Sequence, residues 1–179
     1  MTFTRMDTST EAEWRQIQAE HTQEYPKIAD RVLTMLQSLE DVVEGFAVNQ
    51  LVHCLQTATL AEKAGADEEV VVASLCHDIG KAVSVANHGA IAAEMLKPYV
   101  RPDVYSMIKH HQDFQGLHYY EYFGMDPHLR KQHEGEPWFA LAEQFADEWD
   151  QIAFDPDGET FPLEHFEPAL RRVFARPRY

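Results

Sequence analysis

The stretch 70–81, VVVASLCHDIGK, places two ionisable residues at the end of an apolar helix. Such a helix is expected in the core, where the polar groups of His77 and Asp78 are costly unless something compensates them. A bound metal ion does so, and imidazole together with carboxylate suits iron, manganese, zinc and cobalt. Asp78 has two carboxylate oxygens and can bridge two ions. The doublet therefore predicts a metal site within a helical domain.

Residues of the same chemistry lie on the neighbouring predicted helices. His53 lies on the helix before the doublet, and two antiparallel helices joined by a short turn can bring such positions face to face. His88 begins the following helix, and the pair His110-His111 ends the next one. Asp150 ends a later helix, in the segment FADEWDQ. These residues extend the predicted metal site from one doublet to a cluster.

Apolar periodicity and helix-boundary residues predict an all-α chain, a bundle of about seven to nine helices. The predicted helices cover about 9–23, 47–64, 68–79, 88–97, 102–112, 137–151 and 162–175, and a further one opens at Pro26. No segment sustains an alternation of apolar and polar residues, so no substantial sheet is expected. The stretch 113–136 is predicted to be a loop with short helical turns, and long loops in compact domains often carry function.

The chain length and charge narrow the class of protein. At 179 residues we expect a single domain over 1–179, with an N-terminal helical extension of about 1–46 and a metal-binding core of about 47–176. Asp and Glu total 30 against 15 Lys and Arg, a net charge of −15 that repels phosphates and anionic lipid. The expected partner is a small-molecule substrate, with no nucleic acid and no membrane.

Cysteine usage and the N-terminal residues predict a cytoplasmic protein. Cys54 and Cys76 lie in apolar helical segments and are predicted to be small core residues rather than a disulfide. The first residues, MTFTRMDTST, lack the basic and apolar segments of a signal peptide, and no apolar run reaches the length of a membrane span.

The order His, His-Asp, His, His, Asp resembles the HD-domain superfamily of metal-dependent enzymes, over about 47–176. The resemblance implies that one metal ion is held by four residues, His53, His77, Asp78 and Asp150. It also implies that Asp78 bridges to a second ion held by His88 and His111, which makes Asp78 the catalytic bridge. HD proteins that bind a single ion usually lack the inner pair of histidines, so the pair here implies two ions.

Two positions of the family pattern each have two candidates in this chain. His110 competes with His111 for the fourth histidine, and Asp147 competes with Asp150 for the final aspartate. The pattern has an apolar residue three positions before its histidine, which favours His111, and it favours Asp150 after a tryptophan. We expect His110, Asp147 and Gln50 to support the ligands through hydrogen bonds from outside the cluster.

The sequence around the ligands resembles a smaller HD branch that activates dioxygen at a mixed-valent di-iron site. NQLVHCLQTATLAEKAGAD, 49–67, is similar to the first metal helix of HD oxygenases that cleave carbon–phosphorus bonds. EWDQIAFDPDGETFPLEHFEPALRRVF, 148–174, is similar to phosphonate-associated HD proteins. The resemblance implies two iron ions, Fe(II)/Fe(III), with dioxygen as co-substrate, and oxidative cleavage of a small hydroxylated or phosphonate-like substrate.

Candidate substrate contacts come from the same resemblance. HDIGK is shared with inositol oxygenase, whose lysine contacts the substrate, which implies a contact from Lys81. Its segment of histidine and aromatic residues after the fourth histidine is similar to HQDFQGLHYYEYFG, which implies His118. The phosphonate oxygenase has a histidine in place of Lys81, and Gln115 and Asp147 fall near the positions of its basic phosphonate contacts. A different substrate is therefore expected, with Lys81, Gln115 and His118 as candidate contacts.

Other hypotheses stay open. A metal-dependent phosphohydrolase acting on a nucleotide or phosphate ester can use the same six ligands with other divalent transition metals, and an HD module can serve for binding alone. Lys81 can also be a helix-end cation that interacts favourably with the helix dipole. The remaining histidines are predicted to be surface or structural residues: His21, His128, His133 and His165.

Overall fold

A computed structural model describes residues 3–178, and within them the fold is all-α, as predicted, with no strand. Met1, Thr2 and Tyr179, at the ends of the predicted domain, lie outside the described residues. The α-helices are α1 Glu11–Ser38, α2 Gln50–Lys63, α3 Glu68–Cys76, α4 His88–Leu96, α5 Pro102–Gln115, α6 Phe139–Gln144 and α7 Leu163–Val173. None of the helices in 3–178 combines the length and the apolar character needed to cross a membrane.

Helix α1 is one continuous helix, so the prediction of two helices separated at Pro26 is wrong. A proline inside a helix removes one backbone hydrogen bond. Pro26 lies on the exposed side of α1, where water can reach the carbonyl group that loses its partner. The C-terminal half of α1 is held against the core by Ala29, Val32 and Leu36, and this burial outweighs the local loss.

Helices α2 and α3 form the hairpin that carries the first half of the site. Asn49 caps α2 by accepting a hydrogen bond from the Val52 N–H, and Asp67 caps α3 by accepting from Glu69 and Val70. The turn between them packs α3 along α2. Cys54 and Cys76 are both buried as free thiols in this hairpin, as predicted.

The second half of the site comes from α4, α5 and the segment that follows α6. Helix α4 packs on α5, and α5 packs on α6. The predicted helix over 137–151 begins at Phe139 and changes at Phe145 into a π-helical turn, Phe145–Asp150. The N–H of Gln151 donates to the carbonyl oxygen of Ala146 at 3.1 Å, five residues back. Turns of this kind are rare and often occur at functional sites.

The stretch 113–136 is mostly short turns, as predicted. Helix α5 runs three residues further than expected, to Gln115, and three 3-10 turns follow at Gly116–His118, Tyr120–Phe123 and Leu129–His133. Gly124 adopts a left-handed backbone, φ 69°, where the second of these turns ends. The first and third of these turns pack on α5, and the second packs on the first.

Candidate metal centre

The structure brings six predicted ligands together in one buried cluster. His77, Asp78, His88 and Asp150 lie at the ends of their elements, whereas His53 and His111 lie within α2 and α5. Their exposed fractions range from 0 to 6 %: His53, His77, Asp78, His88, His111 and Asp150. Buried polar groups at this density are costly unless something compensates them.

The first donor group consists of His53, His77 and Asp150. Nε2 of His53 lies 3.0 Å from Nε2 of His77 and 3.1 Å from Oδ1 of Asp150. Nε2 of His77 lies 3.5 Å from the same oxygen. The three atoms therefore surround one point from three elements, α2, the end of α3 and the π-helical turn.

The second donor group consists of Asp78, His88 and His111. Oδ1 of Asp78 lies 3.0 Å from Nε2 of His88 and 3.7 Å from Nε2 of His111. The two ring nitrogens are 3.3 Å apart.

Asp78 connects the two groups through its two oxygens. Oδ1 faces the second group, whereas Oδ2 lies 3.6 Å from Nε2 of both His53 and His77 in the first. A carboxylate in this position can bind one ion with each oxygen, which is the bridging role expected from the sequence.

The backbone fixes which ring nitrogen of each histidine points into the centre. Nδ1 of His53 lies 2.9 Å from the carbonyl oxygen of Ala153, and Nδ1 of His77 lies 2.8 Å from that of Ser74. His88 and His111 make the same contact at 2.7 Å, each with a carbonyl three residues earlier. A carbonyl oxygen only accepts, so Nδ1 carries the proton and Nε2 presents a lone pair. Metal-bound histidines in proteins are held in this way.

The donor set fits two metal cations. Lone pairs of His53 and His77 face each other at 3.0 Å, which is unfavourable unless a positive charge lies between them. Oδ1 of Asp78 and both carboxylate oxygens of Asp150 are buried and accept no hydrogen bond from any described residue. Two nitrogen-and-oxygen donor groups of this kind suit iron, manganese, cobalt or zinc.

The pKa shifts of the cluster residues agree with a centre that binds two cations. Burial raises the pKa of Asp78, but His77, His111 and His88 lower it by more, so its pKa lies well below the ordinary value. Burial raises the pKa of Asp150 and the rings of His77 and His53 lower it below its ordinary value. Burial lowers the pKa of His53 and His88, and the carboxylates of Asp150 and Asp78 raise it by more. The centre therefore attracts positive charge.

Gly80 is required by a close approach between two backbone segments. A Cβ atom added at Gly80 would lie 2.2 Å from the carbonyl oxygen of His88 and 2.7 Å from its Cα. Only glycine lets the chain after Asp78 pass this close to the start of α4.

A cavity of about 450 Å³ opens beside the second donor group. The three candidate substrate contacts, Lys81, Gln115 and His118, all line it, together with Asp78 and His88. The remaining wall is mainly apolar or aromatic: Phe46, Val85, Tyr119, Phe123 and Phe154. Small-molecule sites commonly combine an apolar wall with a few converging polar groups.

Lys81 lies in the cavity wall with its side chain only 9 % exposed, so it is not an ordinary exposed helix-end cation. Its Nζ lies 2.9 Å from Oδ2 of Asp78 and 3.2 Å from Oε2 of Glu44, and it donates to Oε1 of Gln50 at 3.0 Å. Burial lowers the pKa of Lys81, but Asp78 and Glu44 raise it by more, which keeps the ammonium charged. Gln50, which was expected to support the metal ligands through hydrogen bonds, instead accepts its hydrogen bond from Lys81.

Glu44 was missed by the sequence analysis. It lies outside the predicted helices, and its backbone has φ 52°, an uncommon left-handed conformation for a residue with a side chain. This conformation, followed by Gly45, turns the chain so that Glu44 and Phe46 both reach the cavity. The Glu44-Gly45 dipeptide marks a turn, but its contact with Lys81 is between distant segments and leaves no local signal.

Asp147 supports His118 rather than the metal ligands. Its Oδ1 lies 3.1 Å from Nε2 of His118, and both of its oxygens accept hydrogen bonds of 2.8 Å from Arg130. Arg130 is 8 % exposed and also donates to the carbonyl oxygen of Phe114. Arg130 was not predicted, because a single arginine in a loop is not distinguishable from a surface residue.

His110, the alternative to His111, turns away from the cluster. Its Nδ1 lies 3.3 Å from Oδ2 of Asp113, and its ring stacks on Trp138. His111 points to His88 from the next position along α5. Of the two pairs of alternatives, the structure thus places the favoured residues, His111 and Asp150, in the six-residue cluster. His110 and Asp147 lie outside it.

Comparison with known proteins agrees with this arrangement. A protein-family model described as HD domain matches residues 51–155, which is more than half of the chain. The matched segment contains all six cluster residues. A search among curated proteins gives no match.

Proposed function

The chain belongs to the HD-domain family, and from that premise we propose that it is a di-iron oxygenase that oxidatively cleaves a small hydroxylated or phosphonate-like substrate. The two donor groups would hold the ions, with Asp78 between them. The same donors serve HD phosphohydrolases, so the proposal rests on the cavity beside them.

The charge of the cavity wall is the observation that carries the proposal. Within residues 3–178, Lys81 is the single Lys or Arg lining the cavity, and Glu44 and Asp78 already balance its charge. A nucleotide phosphate chain is usually held by several cations or bidentate arginines. Arg130 does not line the cavity, and its hydrogen bonds go to Asp147 and Phe114. A substrate with one anionic or hydroxyl oxygen near Lys81 fits this wall better than a nucleotide.

The chain's own residues orient the substrate and exclude water. When bound, two iron ions would supply dioxygen activation and electron transfer. Lys81 holds a substrate oxygen above Asp78, and Gln115 and His118 donate to polar groups from the α5 side. Asp147 and Arg130 fix the ring of His118. Phe46 and Phe154, whose rings stack at 4.7 Å, form an apolar wall beside His53.

The alternative function is that of a metal-dependent phosphohydrolase. The carboxylate of Asp78 between two donor groups supports it, because two adjacent ions can activate water and stabilise phosphoryl oxygens. A small phosphate ester, which needs fewer cations than a nucleotide, is the substrate that this cavity would favour.

Spectroscopy of the iron-loaded, partly reduced protein separates the two functions. We expect a mixed-valent electron paramagnetic resonance signal that changes when a hydroxylated or phosphonate candidate binds, followed by dioxygen uptake that depends on that candidate. The His77→Ala protein is the control and should give neither signal nor uptake. Phosphate release with manganese, cobalt or zinc, equal in air and under nitrogen, would establish the hydrolase instead.

Replacing Lys81 tests its proposed contact with the substrate. Lys81→Ala should raise KM or lower turnover by roughly 10–100-fold, because a hydrogen bond from a charged group contributes about 1.5–3 kcal/mol. The metal content should stay at the wild-type level, since Lys81 is not a donor. Steady-state kinetics and elemental analysis on one preparation measure both quantities.

Lys63→Ala is the matched control, because Lys63 ends α2 and is a helix-end cation with a half-exposed side chain. Its loss should cost about 0.3–1 kcal/mol of stability and leave the kinetics unchanged. If Lys81→Ala behaves like Lys63→Ala, Lys81 does not contact the substrate.

A further inference from the structure

A second cluster of metal-binding side chains lies on the other side of α5, apart from the six donors. It consists of His110, Asp113 and His133. Oδ2 of Asp113 lies 3.3 Å from Nδ1 of His110 and 2.9 Å from Nε2 of His133. His110 and Asp113 stand three residues apart on α5, and His133 ends the turn Leu129–His133.

The donor types and spacings match those of a transition-metal site. Zinc bonds to imidazole nitrogen and carboxylate oxygen are about 2.0–2.2 Å long, so neighbouring donors around one ion are roughly 3–3.5 Å apart. The two spacings to Asp113, 2.9 and 3.3 Å, fall close to that range, and the three donor atoms all lie within 4.8 Å of one another. The spacings of His53, His77 and Asp150 in the main centre are 3.0–3.5 Å.

Packing holds both rings in place while leaving the donors accessible. The ring of His110 stacks on Trp138 with an interplanar angle of 14°, and the ring of His133 stacks on Phe114 with an angle of 10°. The side chains of His110, Asp113 and His133 are 29, 25 and 13 % exposed. An ion can therefore enter from solvent, and a water molecule can complete its coordination.

We propose that His110, Asp113 and His133 bind a divalent transition ion, with zinc as the best match, at a site separate from the main centre. The ion would fasten the turn Leu129–His133 to α5. Arg130, in the same turn, holds Asp147, and Asp147 holds His118 in the cavity wall. The site therefore stabilises the segment that positions His118, and it takes no part in the chemistry at the six donors.

Zinc stoichiometry tests the proposal directly. Equilibrium dialysis of wild type, His133→Gln and Asp113→Asn against buffered zinc should show one ion per chain fewer in both variants. His128→Gln, a change at an exposed histidine of the neighbouring loop, should bind as many ions as wild type. His77→Ala should lose ions from the main centre and keep the additional one, which separates this site from the proposed function.

Limited proteolysis provides a second measurement on the same proteins. Zinc should slow cleavage within 117–137 at least several-fold in wild type and have no such effect in His133→Gln. Asp113→Asn preserves the size of the side chain and an oxygen acceptor, so circular dichroism should show it folded. Equal zinc stoichiometry in wild type, His133→Gln and Asp113→Asn would show that the three residues only hydrogen-bond to one another and would overturn the proposal.

Discussion

Asp78→Ala should remove both metal ions from the six-residue cluster, whereas His88→Ala should leave one there. Asp78 contributes an oxygen to each donor group, and His88 contributes a nitrogen to the second group alone. A bound ion that stabilises charge in the transition state contributes several kcal/mol, so activity in Asp78→Ala should fall by roughly 1,000-fold or more. Elemental analysis of the purified variants gives the ion count for each.

Asp157→Ala is the control for the loss of one acidic residue. Asp157 is exposed in the loop before α7 and lies outside both donor groups. It should retain the metal content and the activity of wild type. Two ions in the six-residue cluster of Asp78→Ala would exclude the bridging role, and no metal in that cluster of reconstituted wild type would indicate an HD module that serves for binding alone.

Gly80→Ala should damage the second donor group although it changes no ligand. The added Cβ would lie 2.2, 2.7 and 2.8 Å from backbone atoms of His88, and backbone cannot move aside as the end of a long side chain can. The start of α4 must shift, which carries the imidazole of His88 away from Asp78. Overpacking of this kind typically costs about 1–3 kcal/mol, and more where backbone is involved. Chemical unfolding and elemental analysis should show lower stability and the loss of one ion.

Gly65→Ala is the matched control because it adds the same methyl group where no atom lies within 4 Å. Its φ of 81° makes alanine unfavourable, so a cost of about 1–2 kcal/mol is expected, with the metal content unchanged. The contrast in metal content, rather than in stability, is the decisive result. A Gly80→Ala protein with two ions in the six-residue cluster and wild-type stability would show that α4 can adjust without moving His88.

The clustering of the six residues could be predicted because histidine and aspartate in apolar helical segments are costly without compensation, and these residues occur in a family order. Their partners were less predictable. The carbonyl groups that orient the four imidazoles belong to the backbone, which carries no residue-specific signal, and for His53 the carbonyl is that of Ala153, 100 residues away. Glu44 and Arg130 likewise act through contacts between distant segments.

The error at Pro26 has a different physical origin. Local preference disfavours proline inside a helix, and the sequence analysis applied that preference alone. The burial of Val32 and Leu36 against the core is a tertiary effect that exceeds it. The candidate substrate contacts illustrate the same limit, because the position of Lys81 at a helix end does not reveal that it is buried beside Asp78, Glu44 and Gln50.

The π-helical turn at Phe145–Asp150 explains why Asp147 and Asp150 were hard to separate by counting residues. In an α-helix, positions three apart share a face, and both carboxylates would point the same way. A wider turn advances each residue through a smaller angle, so Asp147 faces Arg130 and His118 while Asp150 faces His53. The turn thus acts as a one-residue insertion that sets the phase of the helix. The same residues in α-helical geometry would rotate Asp150 by roughly a quarter turn relative to α6, away from His53, so the π-helical turn is what brings the last donor into the cluster.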